Sequence, residues 1–190
     1  MATMELDGKA ETSKALEILD FWWTAGGEKW FKGGEKFDKE IREKFEADVE
    51  AAGRGDYDDW TATPHGTLAL LLLLDQFPRN IYRGTPKAFS SDAKAVKIAL
   101  ASLNKNFHTA YPKGYRIFFF MPFEHSEEIE MQDLSVDLFR GLDDQDTYHY
   151  ALIHMDVIRR FGRFPHRNEV LGRTSTPDEI EFLASGGFKA

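Results

Sequence analysis

Two short segments carry most of the chemistry open to this chain. Asp75 to Thr85 reads D-Q-F-P-R-N-I-Y-R-G-T, and Arg159 to Arg173 reads R-R-F-G-R-F-P-H-R-N-E-V-L-G-R. Both set Phe-Pro just ahead of an Arg-Asn pair, Phe77-Pro78-Arg79-Asn80 and Phe164-Pro165-His166-Arg167-Asn168, and both have a further arginine downstream, Arg83 and Arg173. Five of the eleven arginines fall between residues 159 and 173, while every lysine but Lys189 lies at or before Lys113. The cluster is thus a choice of side chain, because either residue supplies solvated charge but only a guanidinium supplies a planar fork for carboxylate or phosphate oxygens. The candidate ligand-binding residues are Asp75, Arg79, Asn80, Arg83, Arg163, His166, Arg167, Asn168 and Arg173, serving a small phosphate- or carboxylate-bearing molecule. The competing reading is that these arginines cap helix C-termini and pair with the chain's many carboxylates.

Proton-handling groups are few. Glu124-His125, with Glu128 three residues beyond the histidine, and His149, His154 and His166 are what remains once other chemistries are removed. With no cysteine there is no thiolate nucleophile and no cysteine-bound metal, and the chain has no G-x-S-x-G, no G-x-x-x-x-G-K-[ST] and no H-E-x-x-H. The catalytic candidates are therefore His125, Glu124 and His154. Read as one helix face, His125-x-x-Glu128 suits a metal or a proton-transfer pair. Read structurally, residues 124–128 form an acidic helix N-terminus, and His154 is a hydrogen-bonded core histidine. No residue is assigned to a metal, and no motif names a cofactor.

Composition narrows the partner. The 190 residues carry a net charge of -8 with a pI near 5.3, which argues against nucleic acid or an anionic membrane, since binding to either draws on a basic face. A local arginine patch in an acidic protein suits a small anion drawn into a cleft. The N-terminus has no basic region followed by an apolar run, and the longest apolar run, Leu68 to Leu74, is far short of the roughly 20 residues of a membrane span. A soluble cytoplasmic protein of one domain, residues 1–190, is expected, with residues 1–12 as a disordered tail.

The elements that must hold these residues all read as helix. Thr12 or Ser13 caps a first helix to about Ala25, ended by Gly26-Gly27, with Trp30 in the connection that follows. Phe37, Ile41, Phe45 and Val49 recur every fourth residue on a second, which stops at Gly53 and Gly55. Thr63-Pro64 opens a helix that is apolar on all sides and marks the centre of the domain; Pro78 is expected to end it. A helix over residues 86–105 has Ser90, Ser91 and Asp92 as cap candidates. Tyr115 to Met121 has strand propensity but no partner strand, so it too is predicted helical, broken at Pro122, with a new helix from Phe123 to Arg140. Asp143 to Arg160 forms a helix buried over a wide arc that includes Tyr150, Leu152 and His154. Thr176-Pro177-Asp178-Glu179 is a capping box opening the last helix. Roughly eight helices result: an all-α fold of stacked pairs, as an irregular superhelix or bundle.

Residues 72–84, Met121-Pro122-Phe123-Glu124-His125-Ser126-Glu127 and Arg160-Phe161-Gly162-Arg163-Phe164-Pro165-His166-Arg167-Asn168 resemble the three signature blocks of the bacterial family called domain of unknown function 924, the likeness running from about Phe21 to the C-terminus. The resemblance implies an all-helical, tetratricopeptide-repeat-like fold and no activity. Three roles stay open: a small-anion site, a scaffold whose groove binds an acidic or C-terminal peptide, and an internal Arg-Asp-Glu keystone.

Overall fold

The computed structural model describes residues 13–189, and among them every regular element is helical. The expected tail over residues 1–12 and the Thr12 cap lie outside the described residues. Helix α1, Ser13–Lys32, is interrupted at Gly26, whose φ of 77° and ψ of 167° leave helical space. The chain then resumes as helix and brings Trp30 back over Trp22, to whose carbonyl its indole N–H donates at 2.7 Å. Helix α2, Glu35–Arg54, buries the Phe37, Ile41, Phe45 and Val49 stripe and closes on Gly55 in the left-handed region.

The central helix is apolar on every side and buried on every side, as its sequence demands. It opens as α3, Pro64–Leu71, with the Thr63 hydroxyl accepting from the Gly66 amide at 3.0 Å. Contrary to expectation it does not end at Pro78. Residues Leu72–Gln76 form one π-helical turn, and α4, Phe77–Ile81, continues beyond it. Proline lacks an N–H, and in a regular helix its ring meets the carbonyl four residues back. The wider turn, in which the Phe77 amide reaches back to the Leu72 carbonyl, opens the space the ring needs.

Pro122 is absorbed in a second way. Helix α6, Lys113–Glu124, runs through it and ends two residues later, rather than breaking there. The proline costs one hydrogen bond near a helix end, while Phe118, Phe119, Phe120 and Phe123 of the same helix are all buried. Glu124 therefore lies at a helix C-terminus and not an N-terminus. The next helix, α7, is Ile129–Arg140 with Glu128 as its N-cap residue, so His125 and Glu128 do not share a helix face.

Helix α5, Asp92–Asn104, packs between the central helix and α6. Helix α8, Gln145–Phe161, is capped by Asp144, which accepts from the Thr147 amide at 2.9 Å, and closed by Gly162 at φ 68°. Its buried arc is narrower than its apolar content suggested, for Tyr150 is 55% exposed and Leu152 38%. Helix α9, Pro177–Ala184, carries the capping box of Thr176 and Glu179.

Two hydrophobic clusters result. The larger gathers α1 to α7 and part of α8 around the central helix. The smaller is built from Val157, Ile158 and Phe164, with Phe161, Phe182 and Phe188 against them. The polar residues of interest lie where the two meet.

Candidate functional site

Asp75 is the first polar residue after the run of buried leucines, and the π turn fixes where its carboxylate points. It is 1% exposed and fully engaged. His125 Nδ1 lies 2.8 Å from Oδ1, the Gln76 amide donates to Oδ2, and Arg79 NH1 stands 3.2 Å from Oδ1 and donates to the Asp75 carbonyl at 2.6 Å. Burial pushes the Asp75 carboxyl up, but the neighbouring His125 and Arg79 outweigh it, and the group is held ionised below the usual carboxylate range. Arg79 completes its fork on Asp92, both nitrogens donating at 3.0 Å. Of the three cap candidates Ser90, Ser91 and Asp92, it is Ser91 that stands at the N-cap position, and Asp92 opens α5 with its carboxylate turned to the arginines.

From the other segment Arg167 reaches the same carboxylate less well, NH1 standing 3.6 Å from Asp92 Oδ2. Its guanidinium is held between aromatic faces, 4.6 Å from the Phe89 ring centre and 4.4 Å from that of Phe164. The residue is only 6% exposed, and its Nε–H has no partner among the described residues. Burial first, and then the charge of Arg79, pull its pKa down to about 10. The two Phe-Pro segments of sequence thus converge, through Asp92, on one pair of arginines.

Glu124 completes the group from the end of α6. It is 5% exposed, Oε1 lacks a hydrogen-bond partner, and His154 Nδ1 lies 3.4 Å from it while bonded to the Tyr150 carbonyl at 2.8 Å. Burial and the nearby Asp75 charge push the Glu124 carboxyl up to about 8, so it is protonated at neutral pH. The histidines move the opposite way: burial lowers His125, takes His154 down to about 3 and His166 down to about 4. His125 is oriented by Asp75 through Nδ1, and its Nε2 has no hydrogen-bond partner among the described residues. His166 Nδ1 is a further buried atom without one. The group can therefore offer one neutral acid, one oriented neutral base and one underpaired guanidinium.

The remaining candidates are placed differently. Asn80 and Arg83 turn to Asp38 on α2, the amide donating at 2.8 Å and the guanidinium at 2.8 and 3.0 Å. Arg163 grips Glu179 at 2.7 and 2.9 Å, and Asn168 donates to the same carboxylate at 3.1 Å. Arg173 grips Glu127 at 2.8 and 3.0 Å while its Nε–H donates to Asn168 Oδ1 at 2.9 Å. Glu127 also accepts from the Phe164 amide at 2.8 Å. The contacts of Asn80 and Arg83 hold the end of α4 to α2, and those of Arg163, Asn168 and Arg173 anchor the chain after α8.

Sequence reasoning missed Phe89, Phe188 and the pairing role of Asp92. Thirteen residues separate Asp92 from Arg79, which no helical repeat relates, so only the folded chain reveals the pair. Among the described residues no group of three or more His, Asp or Glu side chains could hold a metal ion. Two surface clefts, of about 230 and about 290 Å3, are lined by other residues. In the first Glu50 already pairs with Lys87, and in the second Lys44 and Lys29 lie over the Phe21 and Phe37 rings that floor it.

Comparison with known proteins bears on the family and the fold. The model of a family described as bacterial protein of unknown function (DUF924) matches residues 18–187. The chain belongs to this family. All three sequence blocks lie within that match, and so does every residue of the group except Phe188. A solved structure similar to this one is a protein of unknown function, ATU0120, from Agrobacterium tumefaciens, with 40% identity and a TM-score of 0.88 over 90% of this chain and 97% of that one. No curated protein matches the chain.

Proposed function

We propose that the junction of the two clusters is a site for a small anionic molecule, with Arg167 as its anion anchor and Glu124 and His125 as an acid and base that move a proton on it. One observation carries the reading. Arg79, Arg83, Arg163 and Arg173 are all saturated by carboxylates, whereas Arg167 Nε, Glu124 Oε1 and His166 Nδ1 are buried without partners. Buried polar groups are almost always paired, and a free donor on a buried cation is costly. Of the other unpaired atoms, Trp22 Nε1 lies in the main core, and Gln132 Oε1 is on a side chain whose amide donates to the Glu124 carbonyl at 2.8 Å.

The acid and base roles follow from environment. A carboxyl neutral at pH 7 can donate, and a histidine whose Nδ1 is held by a buried carboxylate presents Nε2 as an acceptor. His154 positions Glu124, and Arg79 holds Asp75 and Asp92 in place. The ligand envisaged is a cytoplasmic metabolite with a carboxylate or phosphate. Among the described residues no helix is long and apolar enough to cross a membrane.

Thermal unfolding with and without acetate, benzoate and inorganic phosphate tests this. A true ligand at a hundred times its Kd stabilises the wild type by about 2.7 kcal/mol. Arg167→Met should remove that stabilisation. An equal response in wild type and variant, or none in either, counts against the site.

A further inference from the structure

The apolar side of the site is filled by the protein's own chain. After α9 ends at Ala184, Gly186 at φ 85° turns the backbone and Phe188 folds back over the histidines. Its ring centre lies 4.5 Å from that of His154 and 5.7 Å from that of His166. The ring joins the smaller hydrophobic cluster beside Phe164, and Phe164 is the ring that faces Arg167. We propose, building on the anion-site reading above, that Phe188 is a plug occupying the place of an aromatic ring of the ligand, so that the ligand is an aromatic carboxylate and binds by displacing it.

Three features argue for displacement over a fixed wall. The strap is short: Gly186 and Gly187 separate the helix terminus from Phe188, and the hydrogen bond from the Gly187 amide to the Phe182 carbonyl, 2.9 Å, ties the strap to α9 upstream of the ring. Gly187 is also a place where a side chain would not fit, since a Cβ there would come within 2.5 Å of the Phe182 carbonyl oxygen. The ring meets the apolar demands of the pocket and none of the polar ones. Phenylalanine has no donor or acceptor, so Arg167 Nε, Glu124 Oε1 and His166 Nδ1 stay unsatisfied beside it. A molecule that sets a ring against His154 and a carboxylate on Arg167 supplies both at once, where acetate supplies only the second and a dianionic phosphate meets Asp92 as well as Arg167.

If Phe188 must leave first, apparent affinity is scaled by the open fraction, and removing the ring raises it. Benzoate, acetate and inorganic phosphate would be titrated calorimetrically into the full chain, its Phe188→Ala variant and its Arg167→Met variant, with folding checked by circular dichroism. Expected are benzoate binding to the wild type, at least tenfold tighter binding to Phe188→Ala, and at least tenfold weaker binding to Arg167→Met. In the wild type, benzoate should also speed amide hydrogen exchange at Gly187, the strap amide bonded to the Phe182 carbonyl; this readout stands even where the alanine variant folds poorly. Unchanged or weaker binding by Phe188→Ala, or slower exchange with benzoate, overturns the plug while an Arg167-dependent response leaves the anion site standing. Arg167-dependent binding of acetate or phosphate with none of benzoate overturns the aromatic class alone. Absence of any Arg167-dependent binding in the folded wild type and Phe188→Ala variant overturns both readings.

Discussion

Arg79 and Arg167 occupy matching places in their two sequence segments, yet their surroundings assign them opposite energetic roles. Arg79 neutralises Asp75 and Asp92, so Arg79→Met strands two carboxylates and should cost about 3 to 5 kcal/mol. Arg167 has one distant partner and an unpaired Nε–H; Arg167→Met keeps the packing between Phe89 and Phe164 and should change stability by less than about 1 kcal/mol. Denaturant unfolding of the two variants checks this, and equal losses would leave both as keystones. Glu124 gives a pH signature. Its folded pKa of about 8 lies above the ordinary 4.5, so the folded state keeps a proton that the unfolded state releases between those values. Its contribution is fully favourable below about pH 4.5 and is lost as pH rises through 8. Glu124→Gln cannot ionise, and its stability relative to wild type should climb by about 3 to 5 kcal/mol between pH 4 and pH 9. A difference that stays flat with pH would mean that Glu124 ionises normally. On the acid side His154 and His166, depressed to about 3 and 4, oppose this trend as pH falls below about 6.5.

The helices were legible in sequence wherever apolar spacing and caps agreed, as at α2, the Thr63-Pro64 start, and the capping box of α9. Both errors of connection came from prolines. Pro78 and Pro122 forbid a regular hydrogen bond, and from sequence that reads as an end, but burial of the flanking leucines and phenylalanines makes continuing the helix worth a wide turn in one case and a lost bond in the other. The second error moved Glu124 from a helix start to a helix end and dissolved the expected pairing of His125 with Glu128. Site residues were legible as types and only partly as partners: Asp75 and His125 are 50 residues apart, and nothing short of the packing of α6 on the central helix joins them. The π turn sets that register. Leu72 begins it and is 0% exposed, so Leu72→Ala should cost about 2 to 5 kcal/mol, read by chemical denaturation. A cost below about 0.5 kcal/mol would show that the turn is not the structural centre.

Across the molecule, the acidic surface and the arginine-rich junction divide the charge between solvent and interior. All five arginines between residues 159 and 173 have a carboxylate within ion-pair distance, Arg159 and Arg160 at the exposed surface and Arg163, Arg167 and Arg173 within the fold or at its margin. Those pairings matter because the smaller hydrophobic cluster is too small to hold its own segment. Val157, Ile158 and Phe164 are its buried members, against the dozens of side chains around the central helix. What pins residues after Gly162 to the main body is Glu127, which takes both ends of the Arg173 fork and the Phe164 amide. Both partners are about three-quarters buried, and hydrogen bonds to charged groups in such settings contribute about 1.5 to 3 kcal/mol. Arg173→Met should therefore release this segment without unfolding the rest. Native-state hydrogen exchange would report it: amides of α9 and of Gly187 should open at a free energy lower by about that amount, while those of α3 and α6 keep the opening energy of the wild type. If all amides lose protection together, the two clusters fold as one cooperative unit, and the junction could not open for a ligand without cost to the whole fold.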